Sequence, residues 1–248
     1  MTITKLLVDA DVITYRAAGA VKRHTDPETG ALVADEPVEA ALGNCKSIIR
    51  RILGRFNFEL AHQLYLTGSG NFRDARATIQ PYKGNRDRTK RPPYYRETRE
   101  YLLSQWNATL IDGREADDAL GCEQWSAKDR STCIVTNDKD LRMIPGWHYH
   151  FVKEELSYIT LREANRNFYL QMLSGDVTDH IRGCPGIGVV RAGRILMDCG
   201  SDCAAYSRAV QQEYKKAYGD KWQDALLEHA DLLWIEREEG MRCPLPLL

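Results

Sequence analysis

Three short segments of the chain place carboxylates directly after runs of apolar, strand-forming residues. Asp9 and Asp11 end and follow Lys5–Asp9 (KLLVD), Glu115, Asp117 and Asp118 follow 108–111, and Asp138 and Asp140 follow Thr132–Thr136 (TCIVT). A further pair, Asp176 and Asp179, precedes a glycine-rich stretch. Any one of these reads innocently: aspartate is a favoured helix cap and turn former, and Asp112 and Asp138 taken singly are caps. The group is different. Parallel strands deliver their carboxyl ends to one sheet edge, where ligands bind, so three strand ends bring seven carboxylates together. Like charges so crowded raise one another's pKa unless cations neutralise them. No His or Cys joins the clusters, so the expected ions are hard ones, two Mg²⁺ or Mn²⁺ rather than zinc. Two such ions about 4 Å apart are a solution to phosphodiester hydrolysis.

Cations that would hold a polyanion are also present. Between Arg73 and Arg99 stand nine basic residues (73, 76, 83, 86, 88, 90, 91, 96, 99) and three acidic ones (74, 87, 97). This local excess sits in a chain whose formal net charge is −1. A charge run is ordinarily a solvated face, and Pro92-Pro93 suits a loop. The functional reading has Lys83 and Arg86 on the scissile phosphate, Tyr82 stacked on a base, and Arg73 on the backbone. Gly183, Gly186 and Gly188 are plain turn glycines in one reading. In the other they let backbone N–H groups approach a phosphate at the start of a helix, flanked by Arg182, Arg191 and Arg194. Such a hairpin binds duplex backbone without reading sequence.

The elements that must position these residues follow from periodicity. Strands are expected at Lys5–Asp9, 62–66, 108–111, Thr132–Thr136 and 147–152. Helices are expected over 37–56, 94–106, 115–128, 161–173, 189–197, 203–217 and 221–235, with Thr160 and Glu163 in capping-box spacing before the fourth. Alternation of strands and helices predicts an α/β fold, a mostly parallel twisted sheet with helices on both faces, followed by a helical region. The expected division is 1–173 for the catalytic region, with a short basic arch near 82–100, and 174–248 for the helical region, in one compact unit.

Composition places the chain among ordinary globular proteins: 248 residues, 43% hydrophobic and 28% charged. No window approaches a membrane span, and the N-terminal MTITKLLVDADV is not a signal peptide, so a cytoplasmic location is expected. Seven cysteines without regular spacing read as reduced thiols.

These motifs together resemble the 5′-nuclease superfamily of flap endonucleases and polymerase-associated 5′-nucleases, most of all the stand-alone 5′–3′ exonucleases of bacteriophages. LLVDAD at 6–11 resembles the first metal-binding strand, with Arg16 in its usual following place. NFR at 71–73 and YKGNR at 82–86 resemble the entrance of the helical arch. EADDALG at 115–121 and TNDKDL at 136–141 are similar to the two acidic motifs. SGDVTDHIRGCPGIG at 174–188 resembles the helix–three-turn–helix, which would run over 174–197. The matches are in family order and span 6–197.

The resemblance implies a PIN-like fold and two Mg²⁺ ions held by Asp9, Glu115, Asp117, Asp118, Asp138 and Asp140, with Asp176 and Asp179 completing the second site. It implies that Lys83 and Arg86 orient the phosphate, and that Gly186 and Gly188 lie on the duplex, beside a K⁺ in some relatives. The substrate would be DNA with a 5′ end, flap or junction, an RNA/DNA hybrid being a further candidate. No fused polymerase is expected, so replication partners would be expected to act in trans. Competing readings are a PIN-like ribonuclease and a structure-specific DNA-binding protein without catalysis. In many relatives an Asp follows the second strand; here Thr67-Gly68 stands there, and Asp11 is expected to replace part of the missing charge as a metal ligand.

Overall fold

The computed structural model describes residues 2–87, 90–127, 130–200 and 202–243. Arg88, counted in the basic run, and position 128, the expected end of the third helix, lie outside the described residues.

Six strands form one sheet in the order β5-β4-β1-β6-β7-β8. They are β1 (Lys5–Asp9), β4 (Ala61–Thr67), β5 (Thr109–Ile111), β6 (Thr132–Thr136), β7 (Gly146–His150) and β8 (Glu155–Ile159). All neighbours run parallel except β8, which is antiparallel to β7. The chain builds outward from β1 through β4 to β5, then returns to β1's other side for β6 and β7. The switch point therefore lies between β1 and β6, where a crevice opens at the carboxyl ends.

Alternation along the buried strands divides the core. Leu6, Val8, Leu64, Leu66, Cys133 and Val135 face a layer made with α1 (Ala10–Gly19), α2 (Val38–Phe56) and α4 (Tyr95–Gln105). Leu7 and Ile134 point the other way, to Leu120 of α5 (Ala116–Ser126) and to Leu141, Ile144 and Ile235. Helices thus cover both faces, as expected. A third cluster joins α6 (Leu161–Ser174), α7 (Val189–Met197), α8 (Cys203–Tyr218) and α9 (Trp222–Leu233), with Tyr82 and Met143 set into it. The helical packing thus begins at α6, thirteen residues before the expected boundary at 174.

Five elements, two of them the strands of one hairpin, escaped the sequence pattern. Helix α1 begins immediately after Asp9, which caps it by accepting the Val12 N–H at 3.2 Å. Its buried residues Ala10, Ile13, Thr14, Ala17 and Ala18 do share one face, but that face is mostly small or polar while Val12 and Tyr15 lie outside it, so hydropathy shows little contrast. The hairpin β2 (Arg23–Thr25) and β3 (Leu32–Ala34) has only exposed or half-buried residues. The short helix α3 (Phe72–Arg76) lies in the basic run, and β8 is an edge strand with one buried residue. Among the described residues none of the seven cysteines is in a disulfide, and no helix is long and apolar enough to cross a membrane.

Candidate functional site

The crevice at the β1–β6 switch point is bridged by Asp9, buried at 1% exposure, whose Oδ2 accepts the Thr136 hydroxyl at 2.7 Å. Just beyond, the Asp138 N–H donates to Thr136 Oγ1 at 2.9 Å, and Asp138 Oδ1 accepts the Asp140 N–H at 2.8 Å. The turn after β6 thus sets Asp138 beside Asp9, while the Asp140 carboxylate is linked through Lys139 to Asp176. Helix α5 starts at the same edge, with Glu115 as its N-cap and Asp117 in its first turn. The Thr67 hydroxyl, at the end of β4, accepts the Ala116 N–H at 2.9 Å and fixes that start.

Electrostatics reports how close these groups are. The Asp9 carboxyl is pushed up to about 7, by burial first and then by Asp11 and Asp138. Asp117 is raised well above the carboxylate range by desolvation, then by Asp9, Asp138 and Glu115. Asp140 is raised to about 6, by burial and then by Asp138. An all-oxygen cluster that repels itself this strongly has the donor chemistry of a hard divalent ion. As the side chains stand, no three of the described carboxylates, histidines or cysteines point at a common ligand position. Lysines and arginines hold the oxygens instead.

The loop after α6 closes the site. Asp176 (4% exposed) pairs antiparallel with Ile181, and its Oδ1 accepts the N–H groups of Thr178 (2.7 Å) and Asp179 (3.2 Å). Burial alone would raise its carboxyl, but Lys139 and the backbone donors outweigh that and lower it. Lys139 reaches Asp176 at 2.7 Å and Asp140 at 3.0 Å. On the other side Lys83 bonds Glu115 and lies 3.6 Å from Asp179, whose other oxygen receives Arg86 at 2.7 Å. Burial would lower the Lys83 ammonium, yet Glu115 and Asp179 raise it. Lys83 adopts φ +53°, a region that costs a non-glycine residue of order 1 kcal/mol, and its N–H donates to the Asp179 carbonyl at 2.9 Å. Strain of this kind clusters at functional positions.

Four of the expected site residues are engaged inside the protein. Asp118, expected on metal, is fully buried and its oxygens are filled. They take the Arg73 guanidinium at 2.7 and 2.8 Å, the Glu115 N–H at 3.1 Å and the Glu236 N–H at 3.0 Å. Arg73, expected on DNA, is 1% exposed and also donates to the carbonyls of Leu232 and Trp234. Tyr82, expected to stack on a base, has its ring in the helical core, and its hydroxyl donates toward Asp179 (2.8 Å) and Glu115 (3.1 Å). Gly183 is buried against Gly175: a Cβ there would lie 2.2 Å from the Gly175 nitrogen, so it serves packing rather than DNA.

The absent acid after β4 also has a reason. A Cβ at Gly68 would meet Asp112 Oδ1 at 2.3 Å and the Ile111 carbonyl at 2.8 Å, so no side chain fits there. Asp11, expected to compensate, is committed elsewhere. Its Oδ1 receives Arg99 at 2.7 Å and its Oδ2 the Thr67 N–H at 2.9 Å.

The glycine loop is laid out differently from the buried pair Gly175 and Gly183. Gly186 (φ +80°) and Gly188 have nothing within 4 Å of a built Cβ, so their backbone faces open space ahead of α7. Arg182, Arg191 and Arg194 are exposed around them, with Val189 and Val190 at 61% and 71% exposure. The motifs do not single out Lys139 or the Arg99–Asp11 pair; the place of Lys139 beside Asp140 in TNDKDL is the available signal. Nor do they single out Tyr15, 41% exposed, whose ring lies 4.8 Å from that of Tyr95, over which the Arg91 guanidinium sits.

No protein-family model matches the chain. At 25% identity it is similar to DNA polymerase I of Bacillus caldotenax, over 94% of this chain and 27% of that protein. The chain thus spans about a quarter of the curated relative it matches. Among solved structures, a bacteriophage T5 protein co-crystallised with metal ions superposes with a TM-score of 0.61 at 18% identity, covering 94% of this chain and 89% of that one. The T5 5′-exonuclease with bound zinc gives 0.57 at 17% identity, covering 92% and 85%. A T5 flap endonuclease variant in a pseudo-enzyme–product complex with DNA and metal ions gives 0.53 at 16% identity, covering 92% and 98%. These likenesses show that the chain shares the fold of the T5 proteins.

Proposed function

We propose that this chain is a divalent-metal-dependent 5′-nuclease that hydrolyses phosphodiester bonds of DNA near 5′ ends, flaps or junctions. The observation that carries this reading is the convergence of Asp9, Glu115, Asp117 and Asp138 on the switch-point crevice, with Asp140, Asp176 and Asp179 at its rim. The names of the similar proteins, a DNA polymerase I, a 5′-exonuclease and a flap endonuclease, support it.

Asp9, Glu115, Asp117 and Asp138 would hold one ion and Asp140, Asp176 and Asp179 the other, with Mg²⁺ the expected species. Such ions, when bound, supply an activated water and stabilisation of the leaving oxygen. The chain's own groups do the rest. Lys83 and Arg86, at the rim and half-buried to exposed, are placed to exchange Glu115 and Asp179 for non-bridging phosphate oxygens. Gly186, Gly188 and the α7 N-terminus present N–H groups to a duplex phosphate, and Arg182, Arg191 and Arg194 supply sequence-independent charge. Tyr15 offers an exposed ring to an unpaired base, backed by the half-buried ring of Tyr95. Asp118 and Arg73 form the buried pin that sets α5. The K⁺ implied by relatives would have to share the Gly186 carbonyl with Arg191, 3.4 Å away. Action on RNA/DNA hybrids, replication partners and a cytoplasmic location are further parts of the proposal.

The test is incubation of 5′-labelled duplex and flap DNA with and without Mg²⁺. Metal-dependent release of 5′ products supports the reading, and intact DNA under both conditions overturns it.

A further inference from the structure

Lys139 stands between two carboxylates that come from different parts of the chain. Its ammonium is 2.7 Å from Asp176 Oδ2 and 3.0 Å from Asp140 Oδ1. The two acids are 3% and 23% exposed at their side chains, while that of Lys139 is 67% exposed and reaches in from solvent. The surrounding donors are already assigned. Asp176 Oδ1 is taken by backbone N–H groups of its own loop, and the Gln171 amide shares Asp140 Oδ1 with the lysine. Lys139 is therefore the cation that joins the turn after β6 to the Asp176–Asp179 loop. Lys83 makes the same kind of link between Glu115 and Asp179, but from a less exposed position against the Tyr82 ring.

We propose that Lys139 is a built-in counter-ion for the Asp140–Asp176 pair, one that competes with a divalent ion for the same oxygens and is freed toward substrate phosphate when the ion binds. The inference rests on reading the site as a metal centre and adds a residue to its working parts. An ammonium and a hard cation cannot both sit on Asp140 Oδ1 and Asp176 Oδ2. Without an ion, the lysine relieves the repulsion of the pair and keeps the loop seated on the sheet edge. Once displaced, its flexible four-carbon stem and three N–H donors stay at the rim, within reach of a phosphate oxygen. A lysine with a merely structural role predicts the opposite sign, since its loss would loosen the ligands and weaken ion binding.

The experiment is calorimetric titration of Ca²⁺ into the full chain and into Lys139→Met and Lys139→Arg, with melting temperatures taken in chelator. Lys139→Met is expected to bind the ion about three- to tenfold more tightly, the range set by loss of one partly exposed ion pair. Its melting temperature in chelator is expected to fall below that of the unmodified chain. Lys139→Arg, which keeps the charge, is expected to restore the original affinity. Unchanged or weaker Ca²⁺ binding by Lys139→Met overturns the competition while leaving the metal centre standing. An unmodified chain that binds no Ca²⁺ overturns both readings together.

Discussion

The Arg73 guanidinium meets the Asp118 carboxylate through two parallel bonds of 2.7 and 2.8 Å, with both residues at or below 1% exposure. Arg73 lies on α3, Asp118 on α5, and the carbonyls of Leu232 and Trp234 complete the guanidinium's shell from the C-terminal side. The pair thus locks the start of α5, and with it Glu115 and Asp117, against the helical region.

Breaking this pair by one partner leaves a buried charge unmatched. Arg73→Ala is expected to cost about 3–5 kcal/mol in urea unfolding, whereas the salt dependence of DNA binding by the folded fraction stays unchanged. A small stability change with a shallower salt slope would return Arg73 to the DNA surface.

In chelator, stability should fall as pH rises from about 4 to about 7. Asp9 and Asp140 have folded values of about 7 and 6, above the unfolded carboxylate value of 3.8, so the folded state holds protons that the unfolded state has released. Their contribution is fully present below the unfolded value and is lost as pH passes the folded ones. Saturating Mg²⁺ is expected to flatten this slope. Thermal melts across that range, with and without the ion, check it; a slope of the opposite sign would contradict the crowding of these acids.

Asp11→Asn is expected to leave divalent-ion affinity within about threefold, because the carboxylate is already committed to Arg99 and the Thr67 N–H. A loss of tenfold or more in calorimetry would show that Asp11 does supply the charge missing after β4.

Gly188→Val separates folding from binding. Gly188 has φ −81° and open space at its Cβ position, so the fold accommodates the side chain. The branched side chain would then stand between the α7 N–H groups and a phosphate. Duplex affinity is expected to fall about tenfold at unchanged melting temperature, measured by fluorescence anisotropy. Equal affinity would place the duplex elsewhere.

Much of the fold was legible because β1, β4 and β6 are short apolar runs that end in polar residues, and because Thr160 and Glu163 mark α6 so plainly. Helix α1 was not, since its buried face is mostly small or polar and Tyr15 lies on the exposed one, and β8 was not, since an edge strand alternates weakly. In the site, the residues ending strands were legible by position alone. What position could not show is partnership. Asp117 and Asp118 are adjacent in sequence, but one faces the crevice and the other is pinned by an arginine 45 positions earlier. Gly183 and Gly186 look equivalent in the loop, yet only the second faces open space.

The most direct test of the central claim is digestion of 5′-labelled duplex and flap DNA by the chain and by Asp117→Asn, in Mg²⁺ and in chelator. The account predicts short 5′ products only with the ion. It also predicts a loss of rate of at least about a thousandfold in Asp117→Asn, with DNA binding retained. Junction binding by the unmodified chain with no cleavage in Mg²⁺ or Mn²⁺ would contradict it and leave a structure-specific DNA-binding protein.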